Sequence, residues 1–196
     1  MNYSIFDVDG TILDSMEVWN TLASRYIQSL DRIPEKNLDK IVSEMSLEQS
    51  AIYLKKHYRI NKQEEVIISE VLNLISDFYK YEVKLMPGFK DFITHFDSMN
   101  VIGTSCDEEL VKSALKRLGV LDYFEDIMTC SKVNKGKDDP GFYLACADIL
   151  EQKPDNIFVF EDADYCIDAA RKVGFKVIKI KDWRDLNEEC INNCGK

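Results

Sequence analysis

Short apolar runs alternate with longer amphipathic stretches along most of the chain. Five of these runs are rich in β-branched or aromatic residues, as expected for strands covered on both faces. They are residues 3–6, 101–104, 126–130, 157–160 and 176–180. Helical patterns follow the second and fourth runs. This alternation predicts an α/β fold with a doubly wound, Rossmann-like parallel sheet.

The two predicted helices carry start and stop signals. Asp107 can cap the first helix, the acidic pair 108–109 lies at its positive end, and Gly119 ends it. The second helix runs from about Asp164 to Gly174. In each helix, the apolar residues between the start and the end follow a helical spacing, which strengthens the prediction of helices there.

A different pattern interrupts the alternation between residues 15 and 85, where no convincing strand is found. Three amphipathic helices are predicted instead. The first begins near Met16, the second follows a capping box of Ser46 and Gln49, and the third begins near Val66. The segment is therefore expected to be an insertion made only of helices.

We predict two domains from this pattern. Residues 1–14 and 86–196 form the α/β core, and residues 15–85 form a helical cap domain. The sequence Pro87-Gly88 marks the return to the core. Hinges near residues 14–15 and 85–88 would let the cap close over the core as a lid.

Composition and charge limit the possible partners. The 196 residues, 45% of them hydrophobic, suffice for one domain with a small insertion. A formal charge of −10 without a basic cluster argues against nucleic acid and against anionic membranes. No stretch approaches the roughly 20 apolar residues of a membrane span, and no signal peptide is recognisable. We expect a cytoplasmic monomer that acts on a small molecule.

The six cysteines are irregularly spaced, which is typical of reduced thiols in a chain of this kind. Cys190 and Cys194 could share one face of a helical turn and hold a metal. No histidine or second pair lies nearby, so a terminal tail is the simpler interpretation.

Four polar groups follow the predicted strands or lie in the loops beyond them. They are Asp7 with Asp9, Thr104 with Ser105, Lys137, and Glu161 with Asp162. Ligands of open parallel sheets bind at the edge where the strands end. Unpaired carboxylates at the end of a buried strand are costly, and Mg²⁺ is a suitable counter-charge. The sequence therefore predicts a magnesium site at this edge.

Each group has another interpretation when taken alone. The sequence Asp-x-Asp-Gly could form a turn or a calcium loop, although Gly10 comes too early for an EF-hand. Thr104-Ser105 and Glu161-Asp162 could be helix caps, and Lys137 could be an ordinary solvated lysine. Their order and the shared sheet edge favour a catalytic site.

Four segments resemble motifs of the haloacid dehalogenase superfamily. Residues 6–15, Phe-Asp-Val-Asp-Gly-Thr-Ile-Leu-Asp-Ser, are similar to its first motif, and Thr104 with the helix after it is similar to the second. Residues 136–140 resemble Gly-Lys-Pro-Asp-Pro with one proline replaced, and residues 160–174 resemble the metal-binding motif with Ala163 and Cys166 as departures. The insertion resembles the small cap of the β-phosphoglucomutase and phosphoglycolate phosphatase branch.

The resemblance implies phosphoryl transfer through an aspartyl-phosphate. Asp7 would be the nucleophile, and Asp9 would protonate the leaving alcohol and then activate water. Lys137 and Thr104 would hold and neutralise the phosphoryl oxygens. A second acid at position 9 separates phosphatases and phosphomutases from dehalogenases, which lack it.

The resemblance also implies the ligands of Mg²⁺. Asp7 and Asp162 would bind it through their carboxylates, Asp9 through its backbone carbonyl, and Glu161 through water or from the outer sphere. We expect further substrate contacts from Thr11, Ser105, Trp19 and Leu47.

Hydrolysis is expected rather than phosphoryl transfer to a second sugar hydroxyl. Leu47 stands where a sugar phosphomutase would have an arginine, and Trp19 stands near the place of a polar catalytic residue. Both residues could instead only pack between cap helices. A sugar phosphomutase of the β-phosphoglucomutase type therefore remains the alternative.

Two other interpretations of the function, a response-regulator receiver and a binding module, fit the sequence less well. A response-regulator receiver also combines an aspartate, a hydroxyl, a lysine and a parallel sheet. It has no acid two residues after its phosphorylated aspartate and no long helical insertion. An inactive member acting as a binding module would not need the complete set of catalytic residues seen here.

Overall fold

A five-stranded parallel sheet forms the centre of the computed structural model, which describes residues 1–43 and 45–186. The strand order is β3-β2-β1-β4-β5, and every neighbouring pair is parallel. The predicted α/β class is confirmed. The strands are β1 (Asn2–Phe6), β2 (Ser98–Thr104), β3 (Asp126–Thr129), β4 (Ile157–Glu161) and β5 (Lys176–Lys179).

Helices flank the sheet and build the insertion. The α-helices are α1 (Met16–Ser29), α2 (Leu38–Val42), α3 (Leu47–His57), α4 (Glu64–Asp77), α5 (Phe89–His95), α6 (Glu108–Leu118), α7 (Cys130–Val133), α8 (Pro140–Leu150) and α9 (Asp164–Lys172). A π-helical turn, Phe78–Glu82, continues α4. No helix in the described part of the chain is both long and apolar enough to cross a membrane.

Side chains of the central strands alternate between two apolar layers, because successive residues of a strand point to opposite faces. Phe6 packs on one face against Phe89 and Trp183. Ile5 lies on the other face, in the same cluster as Phe142 and Cys146. Burial on both faces explains why the strands are almost continuously apolar in sequence.

The predicted strands are present, but one end of each differs, in four strands by a single residue. Two of these differences have a clear structural cause. β2 begins at Ser98 rather than at residue 101, because its first polar side chains have partners: Ser98 and Ser4 share a 3.0 Å hydrogen bond, and Asn100 donates to the Tyr123 carbonyl at 3.0 Å. Cys130 was expected at the end of β3 and instead begins α7, which the Thr129 hydroxyl caps.

The cap signals at the helix ends are confirmed. Asp107 accepts hydrogen bonds from the backbone of Glu109 and Leu110, and Gly119 ends α6 in the left-handed conformation. Ser46 and Gln49 form the expected capping box of α3. The short helix α2 was not predicted, since its five residues are too few for a clear periodic signal.

The inserted segment is helical in its described part, and two adjacent chain crossings connect it to the core. Asp14 N donates to the Lys84 carbonyl at 2.9 Å, and Met86 N donates to the Ile12 carbonyl at 2.8 Å. The crossings lie near the predicted hinges. The domain limits of 15 and 85 and the lid movement stay predictions.

Four cysteines, Cys106, Cys130, Cys146 and Cys166, are buried free thiols, as expected for reduced cysteines. The suggested metal pair of Cys190 and Cys194 lies outside the described residues.

Candidate active site

One cavity of about 340 Å³ lies between the carboxyl ends of the strands and the inserted helices. β1 is the central strand, so the residues after β1, β2 and β4 meet there. The cavity is lined by all four predicted groups: Asp7 and Asp9, Thr104 and Ser105, Lys137, and Glu161 and Asp162. The structure thus brings together residues that are up to 155 positions apart in the chain.

A buried lysine is held between two carboxylates at the base of the cavity. Lys137 Nζ donates to Asp7 Oδ1 at 2.6 Å and forms an ion pair with Glu161 Oε1, which also accepts from the Tyr143 hydroxyl at 2.9 Å. Burial lowers the pKa of Lys137, but the charges of Asp7 and Glu161 outweigh it and hold that pKa well above its usual value. Lys137 therefore keeps its charge next to the carboxylate of Asp7.

The second oxygen of Asp7 is buried and has no hydrogen-bond partner among the described residues. One carboxylate oxygen each from Asp7, Glu161 and Asp162 lies within 4.8 Å of the other two. Burial, and next the charge of Asp7, raise the pKa of Asp162 to about 6. An unpartnered oxygen and clustered carboxylates are what a hard divalent cation binds, so these residues fit Mg²⁺.

Gly10 permits the approach of Asp162 to the end of β1. Its φ is +87°, which lies in the left-handed region, and a Cβ at this position would collide with Asp162 Oδ2. The turn after β1 therefore needs glycine for two reasons. One is the backbone conformation, and the other is the space that the Asp162 carboxylate occupies.

We predict that Gly10→Ala raises the Mg²⁺ concentration needed for half-maximal activity by about 10-fold or more, by displacing Asp162. Gly174→Ala is the matched control: φ is +93° there too, but nothing lies within 4 Å of the added Cβ. Both variants carry backbone strain, so a magnesium titration separates strain from displacement. Equal titration curves for the two variants would contradict this role of Gly10.

The Asp9 carboxylate is held by residues of the inserted segment. Ser15 Oγ donates to its Oδ1 at 2.6 Å, and the Tyr79 hydroxyl donates to the same oxygen. Trp19 Nε1 in turn donates to the Tyr79 oxygen at 2.7 Å. Burial raises the pKa of Asp9 to about 6, while the hydrogen bonds from Ser15 and Tyr79 oppose the rise. The expected metal contact of Asp9 concerns its backbone carbonyl and stays a prediction.

Tyr79 is the contact that sequence reasoning missed. It is fully buried in the π-helical turn after α4, and it follows Ile75 at the helical spacing of core residues. Nothing in that pattern distinguishes a core tyrosine from one that donates to a carboxylate 70 residues earlier. Its hydroxyl connects the inserted helices to the candidate acid and base.

We predict that Tyr79→Phe lowers kcat for an alkyl phosphate by about 10-fold, since a hydrogen bond to a charged group contributes about 1.5–3 kcal/mol. The first-turnover release of phenolate from an aryl phosphate, whose leaving group needs no proton, is expected to slow less. Tyr53→Phe is the control, because that tyrosine also donates to a carboxylate, Glu35, at 2.7 Å but does not line the cavity. Equal losses in kcat for the alkyl phosphate and in first-turnover phenolate release would mean that Tyr79 is only structural.

Of the remaining predicted site residues, all but Thr11 line the cavity: Thr104, Ser105, Trp19 and Leu47. Thr104 Oγ1 accepts from Cys106 N at 3.0 Å, which leaves its hydroxyl proton available to a ligand. Ser105 Oγ lies 3.4 Å from Cys130 Sγ.

Thr11 is the exception, because it does not line the cavity. The amides of residues 11–13 all bond to the Val8 carbonyl in a tight turn, and the Thr11 side chain is fully buried. Its carbonyl accepts from Trp183 Nε1 at 2.6 Å. We therefore withdraw Thr11 as a substrate contact.

The family follows from a match over most of the chain. The model of the haloacid dehalogenase-like hydrolases matches residues 4–180. The chain belongs to this family. Membership explains the combination of a parallel sheet, an inserted helical cap and the four groups at one sheet edge. It also removes the response-regulator receiver as an alternative.

Similar proteins within the family include phosphatases and a phosphomutase. The chain is 27% identical to the β-phosphoglucomutase of Bacillus subtilis over 190 residues, which covers 92% of this chain and 83% of that protein. It is 26% identical to the fructose-1-phosphate phosphatase YqaB of Escherichia coli over 186 residues, with 90% and 95% covered. This member of the family is thus a hydrolase-type enzyme with phosphatase and phosphomutase relatives.

Solved structures of this family share the fold. A β-phosphoglucomutase from Clostridium difficile matches with a TM-score of 0.82 at 18% identity, covering 100% of this chain and 97% of that one. CbbY from Rhodobacter sphaeroides, in complex with phosphate, matches with a TM-score of 0.78 at 18% identity, covering 95% and 90%. The helical insertion is therefore the cap expected from the sequence.

Proposed function

We propose that this haloacid dehalogenase-like enzyme is a magnesium-dependent phosphatase that hydrolyses a small phosphorylated metabolite through an aspartyl-phosphate. The observation that carries the proposal is the state of Asp7. One of its oxygens is bound to Lys137, and the other is buried without a partner among the described residues. One Asp7 carboxylate oxygen also lies within 4.8 Å of a carboxylate oxygen of Asp162. A carboxylate so placed is suited to attack phosphorus from one side of a bound cation.

Each residue has one task in this proposal. Asp7 attacks phosphorus and becomes the acyl phosphate. Lys137 neutralises the phosphoryl oxygens, and the Thr104 hydroxyl donates to one of them. Asp9 gives a proton to the departing alcohol and then takes one from the attacking water. The site is closed on one side by the cap, which limits the entry of other water.

Mg²⁺ would be held by Asp7 and Asp162, with Glu161 near them and bonded to Lys137. When bound, it offsets the repulsion between the nucleophilic carboxylate and the anionic phosphate. The buried, unpartnered oxygen of Asp7 supports this placement. Glu161 is better placed to fix Lys137 than to face the cation alone, since its Oε1 is already shared by Lys137 and Tyr143.

Closure of the cap as a lid is part of the proposal. Ser131 Oγ in the core donates to Glu48 Oε1 of the cap at 2.5 Å, and the Tyr165 hydroxyl donates to the Ser43 carbonyl at 3.5 Å. These two bonds and the bond from Tyr79 to Asp9 are among the polar links that opening would break. Hinges at the two chain crossings would leave the sheet unchanged.

Hydrolysis is favoured over the mutase reaction by the charges of the cavity. Lys137 is the one cationic side chain among the described residues of its lining, and it lies at the Asp7 end. A mutase must also hold a second, distal phosphate. Incubation with β-glucose 1-phosphate and a trace of the bisphosphate should therefore form little glucose 6-phosphate. Rapid accumulation of glucose 6-phosphate would overturn the assignment.

The proposal is tested by metal removal. A screen of phosphate monoesters should show phosphate release with Mg²⁺, less than about 1% of it after chelation, and recovery when Mg²⁺ is restored, because cation stabilisation of the charged transition state is worth several kcal/mol. The metal-free protein should keep its fold, measured by circular dichroism. Full turnover in chelator, or no monoester hydrolysed with Mg²⁺, would contradict the proposal.

A further inference from the structure

The cavity extends from the carboxylates deep into the cap. Its far part is lined by apolar side chains of three cap helices, Leu22 and Ala23 of α1, Leu54 of α3, and Ile67 and Val71 of α4. All five are at most 9% exposed and belong to the apolar core. The space therefore enters the interior of the helical bundle rather than running along its surface.

Five polar side chains line the cap part of this cavity, those of Trp19, Asn20, Asp39, Ser43 and Ser50, and three of them are already bonded within the protein: Trp19, Asp39 and Ser43. Both oxygens of Asp39 accept from Ser24, one from its amide at 3.0 Å and the other from its hydroxyl. Ser43 Oγ donates to the Lys40 carbonyl at 2.9 Å. A sugar placed in the apolar far part, between α1, α3 and α4, would lose the hydrogen bonds of several hydroxyls to water without regaining them there. A hydrocarbon makes no hydrogen bonds to water and would therefore lose none.

The charged side chains are also concentrated at one end of the cavity. Its ionisable side chains in the described lining are grouped at the Asp7 end, apart from Asp39. The cavity has the volume of a small-molecule site, one end suited to a single phosphate and the other to an apolar body. This division gives a bound molecule one orientation, with its phosphate against Lys137.

We infer that the substrate is the monophosphate of an apolar alcohol, such as an alkyl or prenyl alcohol, whose hydrocarbon part lies between α1, α3 and α4. The inference rests on the proposed function and names the class of its leaving group. It differs from what the names of the relatives suggest, among them a phosphorylated carbohydrates phosphatase from Thermotoga maritima and a hexitol phosphatase from Escherichia coli.

The inference predicts a dependence on chain length. Each methylene that leaves water can improve affinity by at most about fourfold, from about 0.8 kcal/mol per buried methylene. With incomplete burial, four added methylenes should improve affinity by at least about 20-fold. A site built for sugars would show little dependence on chain length.

The test measures binding of alkyl phosphonates, which cannot be hydrolysed, to the full chain with Mg²⁺ by calorimetry. Ethyl, butyl and hexyl phosphonate form the series, and glucose 6-phosphate is the polar competitor. We expect affinity to rise by at least about 20-fold from ethyl to hexyl, and glucose 6-phosphate to bind more weakly than hexyl phosphonate. A rise of less than threefold, or tighter binding of the sugar phosphate, would overturn the inference.

Two variants locate the hydrocarbon. Ala51→Leu fills part of the cavity at α3 and should reduce the hexyl-to-ethyl affinity ratio to below about fivefold. Leu47→Gln, at a less buried wall position, should reduce the same ratio without filling space. Ile52→Gln on the same helix is the control, because Ile52 is 55% exposed and does not line the cavity, and it should leave the ratio unchanged. Equal ratios in all three variants would place the hydrocarbon elsewhere and contradict the inference.

Failure of the proposed function gives a different result. If chain length governs phosphonate binding but no alkyl phosphate is hydrolysed, the site holds apolar monophosphates and the phosphatase reaction is wrong. If aryl phosphates are hydrolysed but chain length has no effect on binding, the reaction stands and the substrate class is wrong.

Discussion

Asp7→Asn is expected to reduce phosphatase turnover by at least about 10⁴-fold, the scale seen when an enzyme loses its nucleophile. The amide cannot attack phosphorus, and it removes a negative charge from the metal site. Lys137 would keep its ion pair with Glu161, so its buried charge would still have a partner. Steady-state phosphate release from an aryl phosphate with Mg²⁺ measures the effect.

Asp148→Asn is the matched control, because it makes the same chemical change at an exposed position of α8. It should retain the activity of the parent protein. Thermal unfolding of both variants should show folded proteins, which separates lost chemistry from lost structure. Wild-type turnover by Asp7→Asn would exclude Asp7 as the nucleophile.

Asp9→Asn is expected to show the second largest effect, a loss of about 10²–10⁴-fold in steady-state turnover, the usual contribution of general acid–base catalysis. The two steps should respond differently with an aryl phosphate. Its phenolate leaves without a proton, so Asp7 can still be phosphorylated. Hydrolysis of the acyl phosphate needs an activated water and should stall.

Stopped-flow absorbance of the released phenolate tests this difference. We expect Asp9→Asn to give a burst of about one phenolate per active site followed by a slow phase, as for an accumulating covalent intermediate. Asp14→Asn, an exposed carboxylate five residues further along the chain, should behave as the parent protein. A slow release of phenolate with no burst would show that Asp9 is needed for the transfer of the phosphoryl group to Asp7, and would contradict this prediction.

The sheet and its edge were predictable because both depend on short-range patterns. Five apolar runs between helical segments imply a parallel sheet, and the strands of such a sheet place their carboxyl ends together. Asp7, Thr104 and Asp162 therefore belong to one site even before their distances are known. Lys137 was predictable only as part of a motif, since its loop has no regular structure to fix its direction.

Side-chain directions that depend on tertiary contacts were not predictable. Thr11 follows the motif closely in sequence, yet a tight turn buries it. Tyr79 looks like another core residue of α4, yet its hydroxyl reaches Asp9. The early start of β2 has the same origin, because Ser98 is stabilised there by a partner on β1, Ser4, that is distant in sequence.

The cap gives a further example. The spacing of its apolar residues predicted helices correctly but could not show that their shared interior is partly empty. Leu54 and Ile67 have the same helical positions whether they fill a core or line a cavity. Only the arrangement of α1, α3 and α4 distinguishes the two cases. The substrate class therefore depends on the structure, whereas the transferred group follows from the sequence.

Asp7 is the residue expected to carry the phosphoryl group. The most direct measurement is peptide mass spectrometry of the Asp9→Asn protein after acid quench from an aryl phosphate and Mg²⁺, with Asp7→Asn treated in the same way. We predict one added phosphoryl group on the peptide that contains Asp7, and none on that peptide in Asp7→Asn. A phosphoryl group on another residue, or no modified peptide while phenolate is released in a burst, would contradict the account.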